Sequence, residues 1–181
     1  MATRRDAATA AAEIALYVEK RAAQDADSVG TVGMLNVPNG SINVVPGRCL
    51  FSLDLRAPVD AQRDALVSDV LAEVKTICDR RGVLVTTELT ERAAAAPSAP
   101  AWQSRWETAV KALGVPLHAM PSGAGHDAMK LHKIMPQAML FVRGQNSGIS
   151  HNPLESTTND DIQLCIDAFT HLLHQLANEQ P

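Results

Sequence analysis

Apolar positions recur along this chain in two rhythms, and the switches between them mark out its elements. Ala7, Ala11, Ile14 and Val18 fall on one side of a helix, with Arg4, Glu13 and Lys20 left for solvent. Thr3-Arg4-Arg5-Asp6 reads as a capping-box start, and Asp6 suits the positive end of the helix dipole. The polar run 24–28 ends that helix. Residues 31–37 are short and β-rich, and Pro38-Asn39-Gly40-Ser41 and Pro46-Gly47 are turn clusters. Cys49, Phe51, Leu53 and Leu55 then alternate with Arg48, Ser52, Asp54 and Arg56, the period of a strand with one buried face. A second helix is expected over about 60–81, with Leu66, Val70, Val74 and Ile77 in one stripe. Arg80 and Arg81 suit its C-terminal dipole, and Gly82 is placed to end it. Residues 83–89 read as another strand. The order α-β-β-α-β is one strand short of a ferredoxin-like βαββαβ unit.

The Ala/Pro/Ser stretch 93–100 is the expected boundary, giving domains 1–92 and 93–181. Beyond it the pattern predicts a helix over 102–113, a brief strand over 117–120 and a helix over 124–133. The apolar run 138–142 predicts a buried strand. Ile162, Ile166, Phe169, Leu173 and Leu176 predict the apolar face of a closing helix, capped around 158–161. Strand–motif–helix repetition indicates an α/β layer.

Composition narrows the function. The net charge of −4 and pI near 5.8 argue against a general nucleic-acid surface. No stretch approaches about 18 uninterrupted apolar residues, so neither a membrane span nor a signal peptide is expected, and a cytoplasmic location is the default. Cys49, Cys78 and Cys165 are scattered and lack CxxC spacing, which fits reduced thiols rather than a disulfide or zinc framework.

Two glycine-rich motifs hold the candidate chemistry, Pro-Ser-Gly-Ala-Gly-His-Asp-Ala over 121–128 and Gly-Ile-Ser-His-Asn-Pro-Leu-Glu over 148–155. His151 sits in a tight turn; it could be a metal ligand needing His, Asp or Glu partners, or a surface histidine. Glu155 could orient its imidazole or be a solvated charge. His126 follows Gly123-Ala124-Gly125, where backbone N–H groups could meet an anionic ligand, or where the glycines merely make a turn capped by Asp127. Arg56, at a strand end, could clamp a carboxylate or pair with Asp54. Asn43 could offer its amide to a ligand or close a turn. Ser122 lacks the Gly-x-Ser-x-Gly elbow of a nucleophile, and no residue is assigned a catalytic role.

Together with Asn-Val-Val-Pro-Gly (43–47) and Phe-Ser-Leu-Asp-Leu-Arg (51–56), these motifs, in this order, resemble the amidase/hydantoinase/carbamoylase branch of the M20 metallopeptidase-like superfamily. That branch contains N-carbamoyl-L-amino acid hydrolases, allantoate and ureidoglycolate amidohydrolases and β-ureidopropionases. The resemblance implies an α/β fold with an α+β lid: an incomplete ferredoxin-like lid and dimerisation domain, then the C-terminal part of a zinc-exopeptidase-like catalytic domain. It implies that His151 is a metal ligand and that Asn43, Arg56 and His126 bind substrate, Arg56 through the substrate carboxylate. Gly123, Ala124 and Gly125 would form a backbone wall of that pocket. It further implies two divalent metal ions, zinc or else manganese or nickel, a small ureido or N-carbamoyl substrate, and a homodimer formed through the lid.

The family's upstream His-x-Asp, bridging Asp, Glu-Glu pair and further His have no match here. The chain therefore looks like the C-terminal part of such an enzyme and is expected to be inactive alone, since one histidine cannot hold a metal that needs three or four ligands. Two rivals remain: a non-catalytic dimerising or ligand-binding module, and an M20 aminoacylase or dipeptidase.

Overall fold

The computed structural model describes Met1 and residues 3–179, which fall into two units. Unit 1 comprises Met1–Ala95 with Pro121–Ala124, and unit 2 comprises Ala96–Met120 with Gly125–Pro181.

In unit 1 the first helix, α1 (Ala7–Ala22), is started by Asp6 itself. One carboxylate oxygen of Asp6 accepts the N–H groups of Ala8 and Thr9, both at 3.1 Å, and the other is held by Arg4. The capping-box start expected at Thr3 thus moves three residues on, because a buried carboxylate beside two unpaired N–H groups makes the better cap. The hydrogen bond from Thr9, with Arg4 beside it, holds the Asp6 carboxyl below its ordinary range.

Four strands follow: β1 (Val29–Thr31), β2 (Leu35–Asn36), β3 (Leu50–Phe51) and β4 (Asp54–Arg56). Antiparallel pairing of β1 with β4 sets Gly30 opposite Leu55, and pairing of β2 with β3 sets Leu35 opposite Phe51. The strand read over 49–55 is broken after Phe51, yet Phe51, Leu53 and Leu55 all turn to the core as their alternation requires. The long helix α2 (Asp60–Arg81) ends where expected. Gly82 adopts φ +64°, the left-handed conformation glycine accepts without a Cβ penalty, and Val83 N–H donates to Cys78 O at 3.0 Å. Ala10, Ile14, Val18 and Ala22 of α1 close on Leu66, Val70, Val74 and Ile77 of α2 to form the core of this unit.

Gly30 permits that closeness. A Cβ there would lie 2.9 Å from Val18 Cγ1 and 3.0 Å from Ala22 Cβ. Gly30→Ala is therefore expected to cost about 1–3 kcal/mol by overpacking. Urea unfolding checks it, and an unchanged midpoint would mean that β1 lifts away freely.

Residues 83–89, expected as a strand, have no ladder partner among the described residues, and Leu84 and Leu89 are exposed. A β-rich stretch becomes a strand only where a neighbour offers backbone partners, and no described segment does.

In unit 2, α3 (Pro100–Ala112) starts on a proline, whose missing N–H costs nothing in a first turn. After α4 (Ala128–Leu131) and a 3₁₀ turn (Asn146–Gly148), α5 (Asn159–Asn178) begins at Thr158. The Thr158 hydroxyl accepts Asp161 N–H at 3.0 Å and donates to the Asp161 carboxylate. Trp106 and Ala109 of α3 pack on Ala168 and Leu172 of α5, with Trp102, Leu113, Ala138, Leu140 and Leu176 around them.

Four expectations change here. The helix over 124–133 shrinks to one turn, α4, and the run 117–120 is not a strand. Residues 138–142 also lack a ladder partner among the described residues: Ala138, Met139 and Leu140 are half-buried, while Phe141 and Val142 are exposed. Finally, the stripe expected to bury α5 is largely open: Ile162, Ile166, Phe169 and Leu173 are all exposed, and Ala168, Leu172 and Leu176 make the contact with α3.

Candidate functional site

In unit 1, Arg56 stands at the end of β4, half exposed, and its guanidinium is fully directed. Nε donates to Asp54 Oδ1 at 2.8 Å, Nη2 to Asp54 Oδ2, and Nη1 to the carbonyl of Gly123 at 3.0 Å. The hydrogen bond from Arg56 holds the Asp54 carboxyl below its ordinary range, and Asp54 raises Arg56 further. Three of the five guanidinium N–H groups are thereby committed, leaving two for another acceptor. Of the two readings of Arg56 made from the sequence, the structure shows the pairing with Asp54, and two donors stay uncommitted beside it.

The contact with Gly123 brings the strand end to the first glycine motif. The Ser122 hydroxyl donates to Ala124 O at 3.1 Å and accepts Ala124 N–H at 3.2 Å, closing a small turn around Gly123. A Cβ built on Gly123 would meet no described atom within 4 Å, so no internal packing demands glycine there. A backbone left bare toward open space lets a ligand approach closely. Asn43 lies exposed in the turn 41–44, and no hydrogen bond ties its side chain among those described.

In unit 2, His126 is exposed, and its ring meets the edge of Phe141 with centroids 6.4 Å apart. Asp127 precedes α4 in a helical conformation and makes no side-chain cap, so the capping role considered for it is not taken up. Gly125 is exposed beside Met129.

The second motif forms a tightly stitched loop. His151 adopts φ +55°, and Asn146 and Ser147 adopt φ +51° and +61°, conformations that cost most residues about a kcal/mol or more. Hydrogen bonds hold them there. Gln145 N–H donates to Ser156 O at 2.8 Å, and the Asn146 amide donates to Leu154 O at 2.7 Å. Glu155 accepts the backbone N–H of His151 at 2.9 Å, so this carboxylate is spent on the main chain of His151 rather than on its imidazole. The ring itself is presented at an exposed position on a constrained backbone. Sequence reading missed Asn146. The available signal was Asn-Ser-Gly, a run tolerant of left-handed backbone.

Among the described residues, no three His, Cys, Asp or Glu side chains cluster closely enough to hold a metal ion. The described residues therefore do not by themselves make a complete metal centre.

The sequence profile of Peptidase family M20/M25/M40 matches residues 5–175. The N-carbamoyl-L-amino acid amidohydrolase of Geobacillus stearothermophilus is 39% identical over 177 residues, covering 98% of this chain but 43% of that protein. An allantoate deiminase of Arabidopsis thaliana is 36% identical over 142 residues, covering 74% of this chain and 27% of its own length. The crystal structure of an amidase of the hydantoinase/carbamoylase family from Burkholderia multivorans superposes with a TM-score of 0.93 at 31% identity, over 98% of this chain and 43% of that one. This chain thus spans less than half the length of the relatives it matches.

Proposed function

The chain belongs to peptidase family M20/M25/M40, and from that premise we propose that it is part of an amidohydrolase cleaving the C–N bond of N-carbamoyl amino acids or ureido compounds of the allantoate and ureidoglycolate type. The observation that carries the reading is the match over nearly the whole chain to an N-carbamoyl-L-amino acid amidohydrolase. The arrangement at Arg56 agrees with it: a guanidinium with two spare donors, beside a bare glycine backbone, suits the carboxylate that such substrates carry. Asn43, His126 and the 123–125 backbone are the other proposed substrate contacts. Unit 1 takes the role of a lid and dimerisation domain of ferredoxin-like kind, and unit 2 that of the later part of a catalytic α/β domain.

The family resemblance carries a pair of divalent metal ions, zinc first, as the agent that activates water. The proposal gives His151 to such a centre, and because no described cluster completes it, the proposal includes inactivity in isolation. Its own residues bind and orient: Arg56 neutralises and aligns the substrate carboxylate, and the stitched 145–156 loop fixes where His151 points.

A chimaera tests this. Residues 1–181 replace the matched stretch of the Geobacillus stearothermophilus relative, and release of amino acid from N-carbamoyl substrates, allantoate and ureidoglycolate is followed with added zinc or manganese. Turnover is expected from the chimaera and none from the 181-residue chain. His151→Ala in the chimaera should lower bound metal measured by elemental analysis. A folded, metal-loaded chimaera inert toward all three substrates would sink the reading, and unchanged metal content in the histidine variant would remove His151 from the centre.

A further inference from the structure

Among the described residues of unit 2, Asp161 is the one buried carboxylate, and it serves two structures at once. Its Oδ2 accepts the Thr158 hydroxyl at 2.6 Å, and its own N–H donates to that hydroxyl at 3.0 Å, which starts α5. Its Oδ1 goes to a different segment. It accepts Nε of Arg143 at 2.9 Å and Nη2 of the same guanidinium. The helix alone does not ask for this second half. Asp160, exposed in the same first turn, already supplies the negative charge that the helix dipole favours.

Arg143 opens the loop that carries His151. Its guanidinium meets Asp161, and its carbonyl accepts the Thr157 hydroxyl at 2.9 Å, so the two ends of the loop are joined at one residue. From that base the cross-links step inward toward His151. Gln145 meets Ser156 through main chain and side chain, Asn146 meets Leu154, and Glu155 meets His151 itself. Among the described residues the base holds the loop's one ion pair. Hydrogen bonds between charged groups are roughly twice as strong as neutral ones. Asn146, Ser147 and His151 keep left-handed backbone, a shape that persists only where the surroundings over-determine it. Opening the base would free the ends of a long loop and let those three residues relax.

We propose that Asp161 is a positioning residue for His151: through Arg143 it closes the base of the 143–157 loop and so fixes the backbone that presents the imidazole. The proposal rests on the family reading for what His151 does and deepens it, tracing what aims that side chain to a carboxylate in the next helix. A ligand held on a set backbone binds a metal ion without first being ordered, and a loosened loop adds that ordering to the cost of binding.

Amide hydrogen exchange of the 181-residue chain reads the loop, and zinc affinity of the chimaera, by competition with a chelator, reads the ligand. Asp161→Asn keeps an oxygen for the Thr158 hydroxyl and removes the charge that holds Arg143. It should speed exchange of the Gln145, Gly148 and His151 amides about tenfold or more and leave amides in the middle of α5 unchanged. In the chimaera it should weaken zinc about 10–100-fold, as loss of a group behind a metal ligand does. Arg143→Gln should match it, and Arg143→Lys, which keeps a charged donor, should recover most of the loss. Asp161→Asn added to Arg143→Gln should change nothing further, whereas a helix-start role for Asp161 would make the two losses add. Leu176→Ala, which thins the α3–α5 core, should lower the melting temperature without moving zinc affinity. Unchanged loop exchange in Asp161→Asn, or additive losses, overturns the proposal. So does a loosened loop with zinc affinity intact, where His151→Ala lowers it. Should His151→Ala leave the zinc of the chimaera unchanged, the family role of His151 fails, and the exchange measurement then decides by itself whether Asp161 shapes the loop.

Discussion

Replacing Trp106 with alanine is expected to unfold unit 2 while leaving unit 1 folded. Truncating a buried tryptophan costs about 3–5 kcal/mol, and domains are commonly stable by only about 5–15 kcal/mol. Unit 2 has little to offset the loss. Its buried hydrophobic cluster among the described residues is Trp106, Ala109, Ala168 and Leu172, two of them alanines. Removing the indole also takes away the edge contact with Phe169 and the surface on which Leu172 rests. Unit 1 keeps nine buried residues in its own cluster and shares none of them. Amide hydrogen exchange resolves the two: α3 and α5 should lose protection while α1 and α2 retain theirs. By contrast Ile166→Ala, on the open side of α5, should cost under about 1 kcal/mol in the free chain. Equal losses for the two variants would mean that the open stripe is packed in solution after all.

That contrast marks how far the sequence could be read. Helices α1, α2, α3 and α5 announce themselves because a helix satisfies its own backbone and needs only an apolar face, a cap and a stop. Asp6, Thr158 and Gly82 supply caps and stop locally. Residues 83–89 and 138–142 carry equally clear strand patterns but form no strand, because a strand's hydrogen bonds belong to its neighbour and pattern alone cannot supply one. For the same reason the apolar stripe of α5 was legible while the face that would pack was not: Ile162 and Leu172 are equally apolar, and only the position of α3 chooses between them.

The site divides along similar lines. The glycine motifs, His151 and Arg56 stand out from residue type and spacing. The contacts that aim them do not. Glu155 holding the main chain of His151, and Asn146 holding the far side of the same loop, depend on left-handed backbone at three non-glycine positions, which no periodicity reveals. The contact from Arg56 to Gly123 joins residues 67 apart in sequence.

That contact leads to the second large effect. In the active chimaera, Arg56→Lys is expected to lower kcat/KM for an N-carbamoyl amino acid about 10–100-fold, mainly through KM. A hydrogen bond to a charged group contributes about 1.5–3 kcal/mol, and a lysine keeps the charge but loses the planar fork. The single ammonium cannot grip both Asp54 oxygens, reach the Gly123 carbonyl and still present two donors to a carboxylate. The loss should fall on ground-state and transition-state binding alike, since the carboxylate is remote from the bond that breaks, and such a loss raises KM at nearly constant kcat. Arg56→Ala should be worse than lysine by removing the charge as well. The effect should be flat between pH 6 and 8. Asp54, its carboxyl held below the ordinary range by Arg56, stays ionised there, and the support that this pair gives is present above the carboxylate's unfolded pKa near 4. It fades only as the pH falls further, through the lowered folded value. Should Arg56→Lys leave KM unaltered in a chimaera that still turns over, Arg56 would be a strand-end brace for the 121–124 turn, and the substrate carboxylate would be held by another cation.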